Sequence, residues 1–351
     1  MKKFLTCLMA MLGLTTACDH QNCENADVKR FSKLITDSDV VLLDVRTAEE
    51  FAEGHIEGAV NIDQASSDFI DAVKAAFPTD KTLAVYCRSG RRSADATGRL
   101  AAEGYQCVNL EGGIMAWKEA GLPVTTDNYE IDMFKTPGGK TVRLFALVHA
   151  SIRIEYDGRE IMVDPVSKLG NRTIDYTAMP KADYILVTHE HGDHFDKNAI
   201  KLLADDQTQL ITNKRCEEML GYGKAMSNGD KMVLAQDITL EAVPAYNTTE
   251  GHTQFHPKGR DNGFILTLDG LRIYIAGDTE DIPEMAGIKD IDIAFMPCNQ
   301  PYTMTPAQVI NAAKTVKPKV LFPYHYGQTN VSAIPSELKG DGIDVRIRHY
   351  E

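Results

Sequence analysis

Three histidines and an aspartate packed into six residues, His189-Glu190-His191-Gly192-Asp193-His194, constrain this chain more than any other feature. The run follows Tyr184-Ile185-Leu186-Val187-Thr188, whose apolar and β-branched content reads as a strand. Clustered imidazoles directly after a strand are best explained by a metal ion. From an extended turn the alternate residues His189 and His191 reach one ion, while Asp193 and His194 supply an oxygen and a nitrogen for a second. That donor set suits Zn2+, as one or two ions, with Mn2+ or Fe2+ also compatible. Two further strand ends each offer one ligand-type residue, Asp278 in Ala276-Gly277-Asp278-Thr279 and His325 in Pro323-Tyr324-His325-Tyr326-Gly327.

A chain of 351 residues is long enough for about two domains. Its 43% hydrophobic and 25% charged content is that of a globular protein and argues against a polytopic membrane protein or a disordered one. The net charge of −13 gives no electrostatic support to general nucleic-acid binding. At the start, Lys2-Lys3 precedes the apolar run Phe4 to Gly13, and Thr15-Thr16-Ala17 leads into Cys18. This reads as an export signal, too short to span a bilayer as a mature helix. The Ala17-Cys18 order resembles the bacterial lipoprotein signal, which implies lipidation of Cys18 and a place in the cell envelope, held to a membrane by that anchor alone. An ordinary secretory peptide is the competing reading. Residues 1–17 are then the signal and 18–27 a polar tether. Seven cysteines are too sparse for a disulfide framework.

From 28 to 126, short apolar runs alternate with helical stretches. Strands are expected at Val40 to Val45, Thr82 to Tyr86 and Cys107 to Leu110, and helices at Asp68 to Phe77 and Ser93 to Gly104. Such alternation implies an α/β unit, a parallel sheet with helices on both faces. Turn-forming residues then mark a linker over 127–140. Beyond it, over 141–351, Asp157-Gly158 and Asp269-Gly270 each separate strand-like runs and predict hairpins, with helices at Asn198 to Ala204 and Pro306 to Val316 interspersed.

In the first unit, Tyr86-Cys87-Arg88-Ser89-Gly90-Arg91-Arg92-Ser93 lies between a strand and a helix. Backbone N–H groups and the helix N-terminus would point at the Cys87 sulfur, lowering its pKa and holding a thiolate or anionic adduct. This segment, with Leu43-Asp44-Val45-Arg46, Glu49-Glu50-Phe51, Gly54-His55-Ile56 and the run Leu110 to Trp117, resembles the rhodanese family over about 100 residues. The resemblance implies that Cys87 carries a persulfide, that the loop including Ser89 and Gly90 cradles it, and that Arg88, Arg91 and Arg92 attract an anionic sulfur donor. It implies a structural ion pair for Asp44 and Arg46, and help with loop geometry from His55. The six-residue loop from Cys87 to Arg92 is similar to sulfur-handling members rather than to phosphatase relatives.

The second unit's histidine cluster, with Asp278, His325, His149-Ala150-Ser151 and Asp164-Pro165, resembles the metallo-β-lactamase fold, an αββα sandwich, and in particular its lactonase-like and phosphodiesterase-like hydrolases. The resemblance implies His189 and His191 on a first metal, Asp193, His194 and His325 on a second, and Asp278 bridging, with Asp193 also counted as catalytic. The pattern departs at Asn247, where the family often has histidine. Either Asn247 is a weak oxygen ligand, or His252 or His256 substitutes, or the first site is poorly filled. Tyr302 and Tyr326 are expected near the mouth, as oxyanion donors or as pocket wall.

The reading that follows is an exported two-domain enzyme, a sulfurtransferase module fused to a metal-dependent hydrolase that uses metal-bound hydroxide. Its partners would be small-molecule substrates and sulfur donors and acceptors. The alternatives are persulfide dioxygenase-like oxidation at the metal site, and a non-catalytic docking or sensor role for the rhodanese-like module.

Overall fold

The computed structural model describes residues 22–37, 39–126, 129–170 and 172–350. Cys18 and the export signal lie outside the described residues. The chain divides into two compact units at Asn128/Tyr129.

The first unit contains strands β1 (Cys23–Ala26), β2 (Val40–Asp44), β3 (Val60–Asn61), β4 (Thr82–Tyr86) and β5 (Gln106–Leu110), and helices α1 (Val28–Leu34), α2 (Ala48–Ala52), α3 (Phe69–Ala76), α4 (Arg91–Ala102) and α5 (Gly113–Glu119). The sheet order is β1-β5-β4-β2-β3, parallel throughout. Successive strand residues face opposite sides, so Leu42, Ala84, Tyr86 and Val108 enter one apolar layer and Leu43, Leu83, Val85 and Cys107 the other. The expected tether is corrected here, because Cys23–Ala26 forms an edge strand on β5. Its polar sequence hides it: the backbone ladder and an Asn109 Nδ2 to Asn25 Oδ1 bond of 2.9 Å hold it in place.

The second unit begins with β6 (Glu130–Lys135), which pairs antiparallel to β7 (Thr141–Val148). The expected linker is therefore mostly an edge strand and its turn. Its alternation was obscured by Glu130, Asp132 and Lys135, yet Asp132 is buried and accepts from Arg346 and Arg348. The chain continues through β8 (Ser151–Tyr156), β9 (Arg159–Val163), a small ribbon of β10 (Lys168–Leu169) and β11 (Arg172–Thr173), β12 (Tyr184–Leu186), α6 (Lys197–Leu203), β13 (Gln209–Thr212), α7 (Lys214–Leu220) and β14 (Lys224–Ala225). It closes with β15 (Lys231–Ala235), β16 (Ile238–Ala245), β17 (Asp261–Leu268), β18 (Leu271–Ile275), β19 (Ile293–Pro297), α8 (Pro306–Val316), β20 (Val320–Tyr324), α9 (Ile334–Leu338) and β21 (Asp344–Val345).

Two seven-stranded sheets result, ordered β14-β13-β12-β9-β8-β7-β6 and β15-β16-β17-β18-β19-β20-β21. Their inner faces share one core, in which Leu144, Ile154 and Leu186 of the first sheet join Phe264, Ile273 and Phe295 of the second. Outer-face residues such as Ile185 pack with Ile200 of α6, and Tyr274 and Ala294 belong to a layer with Val309 of α8 and Ile334 of α9. The unit is an αββα sandwich, and the fold expected from the sequence is the one observed. Strands β7, β9, β12 and β13 run one way in the first sheet, and β16, β18, β19 and β20 share a direction in the second. Their C-terminal ends form the edges from which functional loops leave, as is usual where parallel strands end.

Candidate functional site

The strand-end residues converge. His149 occupies the turn after β7, Asp164 follows β9, and His189 to His194 follow β12. From the second sheet, Asn247 follows β16, Asp278 follows β18 and His325 follows β20. Two groups of side chains could each hold a metal ion: His189, His191, His256 and Asp278, and His149, Asp193, His194 and His325. Within each group the ligand-type atoms lie within 4.8 Å of one another.

Asp278 stands between the groups. Its Oδ2 lies 3.3 Å from both His256 Nε2 and His325 Nε2 and 3.8 Å from His189 Nε2, while its Oδ1 lies 3.2 Å from His194 Nε2. Asp193 Oδ2 is 3.2 Å from His149 Nε2 and 3.5 Å from His325 Nε2. Most of these groups are buried, whereas His191 and Asp193 are partly exposed and mark the open side.

The opposite nitrogens are committed elsewhere. His194 Nδ1 is 2.8 Å from Asp164 Oδ2, and His256 Nδ1 is 3.0 Å from Asp261 Oδ2. Thr188 donates its hydroxyl to Asp164 Oδ2 at 2.7 Å, so its oxygen accepts from His189 Nδ1 at 3.0 Å. In the neutral ring, each arrangement leaves Nε2 unprotonated and aimed inward. The Nε2 atoms of His189, His194 and His256 are buried without a hydrogen-bond partner, as is Asp278 Oδ1. Orphaned buried acceptors of this kind are costly unless something electrophilic fills the space between them, and a divalent cation fits.

Charge follows the same geometry. Burial and the neighbouring His194 push the His189 imidazole well below its ordinary range, which suits a neutral ligand. Burial alone would lower His194 and His325 too, but Asp278 outweighs it with help from Asp164 and Asp193 respectively, raising His325 to about 9 and His194 well above its usual value. Burial opposes ionisation of Asp193, yet its bonds to His149 and His325 hold it far below the carboxylate range.

Of the alternatives at the Asn247 departure, the structure brings His256 into the cluster. His252 instead turns Nδ1 toward Glu280 at 3.4 Å. Asn247 donates Nδ2 to the carbonyls of Tyr302 at 2.7 Å and His252 at 3.3 Å, and its Oδ1 is buried without a hydrogen-bond partner. Tyr326 is removed as an oxyanion donor, because its hydroxyl donates to the Arg348 carbonyl at 2.5 Å. His149, given no role by sequence reasoning, is the added member. Its signal in the sequence was the His149-Ala150-Ser151 match to the family, and in the fold it sits in a tight turn at φ 55°, rare for a residue with a side chain.

In the first unit, Cys87 directly follows β4 and its sulfur sits 3.3 Å from the Ser93 hydroxyl. Burial raises the thiol pKa, but that hydroxyl and the N–H groups of Ser93, Ser89 and Gly90 outweigh it and leave it lowered. Gly90 caps α4 at φ 84°, and a Cβ there would stand 2.9 Å from the Gly112 nitrogen, so the loop closes only with glycine. Arg88 and Arg91 are exposed, as attraction of an anion requires. Arg92 has two partners: Glu50 binds both its terminal nitrogens at 2.7 Å, and its guanidinium also interacts with Cys87. Arg46 and Asp44 form a buried pair at 2.6 Å, and His55 bonds the Phe51 carbonyl at 3.0 Å while stacking on the Phe51 ring.

Residues 143–325, more than half of the chain, match the beta-lactamase superfamily domain, and residues 27–120 match the rhodanese-like domain. The chain belongs to the beta-lactamase superfamily. It is a rhodanese-like domain fused to a metal-dependent hydrolase of the metallo-β-lactamase fold. The UPF0173 metal-dependent hydrolase TK0141 of Thermococcus kodakarensis is 30% identical over 223 residues, covering 59% of this chain and 96% of that protein. A UPF0173 metal-dependent hydrolase of Archaeoglobus fulgidus is 28% identical over 215 residues, covering 57% and 92%. A crystal structure from Parabacteroides distasonis, carrying a metal-dependent hydrolase designation, is 52% identical with a TM-score of 0.62, covering 64% of this superfamily member and all of that chain.

Proposed function

We propose that this superfamily member hydrolyses a small molecule at a metal centre formed by His189, His191, His256 and Asp278 on one side and by His149, Asp193, His194 and His325 on the other. The observation that carries the reading is the set of inward Nε2 atoms without partners, each backed by a fixed Nδ1. A bound Zn2+ or similar ion would acidify water and polarise a carbonyl or phosphoryl oxygen. Asp164, Asp261 and Thr188 hold the imidazoles in the ligating tautomer. The partly exposed Asp193 and His191 leave the approach for substrate, and the buried remainder excludes bulk water.

The experiment is metal analysis of the full chain, followed by hydrolysis of lactones, phosphodiesters and thioesters before and after chelation. His256→Ala should weaken zinc binding in the group of His189, His191 and Asp278 and lower activity with it. Activity that survives both chelation and Asp278→Asn would sink the assignment.

A sulfurtransferase activity at Cys87 is supported separately by the lowered thiol pKa and the amide cradle. Mass spectrometry after thiosulfate should find one added sulfur on Cys87, and Cys87→Ser should abolish transfer to cyanide. Equal transfer by the variant would refute it. Export and lipidation at Cys18 complete the proposal. Release of unmodified full-length protein without detergent from an expressing bacterium would exclude the anchor.

A further inference from the structure

Strands β18, β19 and β20 are adjacent and parallel, so the segments leaving their C-terminal ends are neighbours. The first carries Asp278 and the third His325. The middle one, Cys298 to Met304, therefore leaves between two of the residues proposed to hold metal. From it projects Tyr302, 45% exposed. Its ring meets Phe255 edge-on, with centroids 5.0 Å apart and planes at 70°. Phe255 immediately precedes His256, and its ring centroid lies 6.5 Å from that of His252.

An exposed tyrosine alone means little. This one is held in place. The buried Asn247 donates Nδ2 to the Tyr302 carbonyl at 2.7 Å, while its own backbone N–H donates to the His256 carbonyl at 2.8 Å. The Tyr302 N–H donates to the Asn299 carbonyl at 3.0 Å, and the Thr303 hydroxyl accepts from the Asn299 N–H at 2.7 Å. The aromatic pair is thus tied through one asparagine to His256. The nearby cations are already committed, Lys258 to Glu284 at 2.7 Å and Arg260 to Asp261 at 2.7 Å. The lip offers flat apolar surface rather than a charge for an anionic group.

We propose that Tyr302 and Phe255 are specificity-determining residues, forming a wall that receives a planar aromatic or otherwise apolar, uncharged part of the substrate beside the bond to be hydrolysed. This rests on the metal-centre reading above. Preorganised aromatic rings favour such a group by edge-to-face and offset contacts beyond the area buried.

The test compares two metal-chelating probes that differ only beyond the chelating group, benzohydroxamate and acetohydroxamate, titrated into the zinc-loaded full chain. Benzohydroxamate should bind about tenfold more tightly. Tyr302→Ala should collapse the difference between the two, Phe255→Leu should reduce it, and Tyr302→Phe should keep it. Equal affinity of both probes for the parent protein, or an undiminished difference in Tyr302→Ala, would overturn the wall while leaving the metal centre standing. Undiminished binding of both probes to the zinc-stripped chain would overturn the metal centre and the wall with it.

Discussion

Asp164 is the most exposed point of the metal-centre reading to experiment, although its side chain is wholly buried. Its Oδ1 accepts the Thr188 N–H at 2.7 Å, and its Oδ2 accepts both the Thr188 hydroxyl at 2.7 Å and His194 Nδ1 at 2.8 Å. Asp164→Asn keeps the volume, and asparagine tolerates the left-handed backbone found here, φ 43°. If the new amide oxygen keeps the Thr188 N–H, the NH2 faces His194 Nδ1. That nitrogen must then accept, moving the ring proton to Nε2, where the metal should be. The Thr188 hydroxyl also loses its acceptor and turns to donate to His189 Nδ1, pushing that ring to the wrong tautomer too. If the amide flips, the NH2 meets the Thr188 N–H and a buried donor is stranded, at about 1–3 kcal/mol. Loss of such a backing partner typically costs 10- to 100-fold in metal affinity, about 1.4–2.7 kcal/mol, and two rings are affected here. The assay is zinc competition against a chromophoric chelator at neutral pH, with the unfolding of the metal-free variant measured in parallel. Unchanged zinc affinity in a folded Asp164→Asn protein would refute the tautomer argument.

The remaining predictions concern charge and fixation. His325 is raised from 6.5 to about 9 in the metal-free chain, so its contribution to stability is fully present below about pH 6.5 and lost as pH rises through about 9. Zinc must displace that proton, so zinc affinity should climb over the same window as metal-free stability falls; flat affinity there would contradict the pairing with Asp278 and Asp193. Ser93→Ala should raise the Cys87 pKa and slow its alkylation at pH 7 several-fold, read by iodoacetamide kinetics across pH. Arg46→Ala strands the buried Asp44 carboxylate and should destabilise the rhodanese-like domain by about 3–5 kcal/mol in urea unfolding, and a cost under about 1 kcal/mol would mean water reaches Asp44. Glu280 accepts from the Thr248 N–H and hydroxyl, each at 2.8 Å, and from the Thr249 N–H at 2.7 Å, so Glu280→Ala should loosen the loop leading to His256 and weaken zinc binding.

What the sequence made legible was whatever local chemistry repeats within one element. The apolar, β-branched run Tyr184 to Val187 announced a strand, and the compact histidine run after it announced metal chemistry without any knowledge of the fold. The Cys87 loop was readable for the same reason, because its amide cradle is built from consecutive residues. Edge strands were not. Cys23–Ala26 and Glu130–Lys135 owe their conformation to a backbone ladder supplied by distant partners, and their polar residues conceal it. The Glu50 partner of Arg92 was equally hidden, since it lies 42 residues away in sequence and nothing local signals the pair.

The Asn247 position carries the lesson further. Sequence reading looked for a ligand where the family often has one, and found an amide. In the folded chain the need is met nine residues later, by His256, and the asparagine serves the replacement: its N–H holds the His256 carbonyl at 2.8 Å. The loop then returns toward β17, where Asp261 takes His256 Nδ1 at 3.0 Å and is itself clamped by Arg260 at 2.7 Å. With His256 present, the first group has three imidazoles and a share of Asp278, so the weakness expected from a neutral amide ligand has no basis in the geometry. The two positions should therefore fill with comparable affinity, and His256→Ala should separate them into one strong and one weak zinc site in the same competition titration. Two equally strong sites persisting in that variant would return Asn247 to the ligand set.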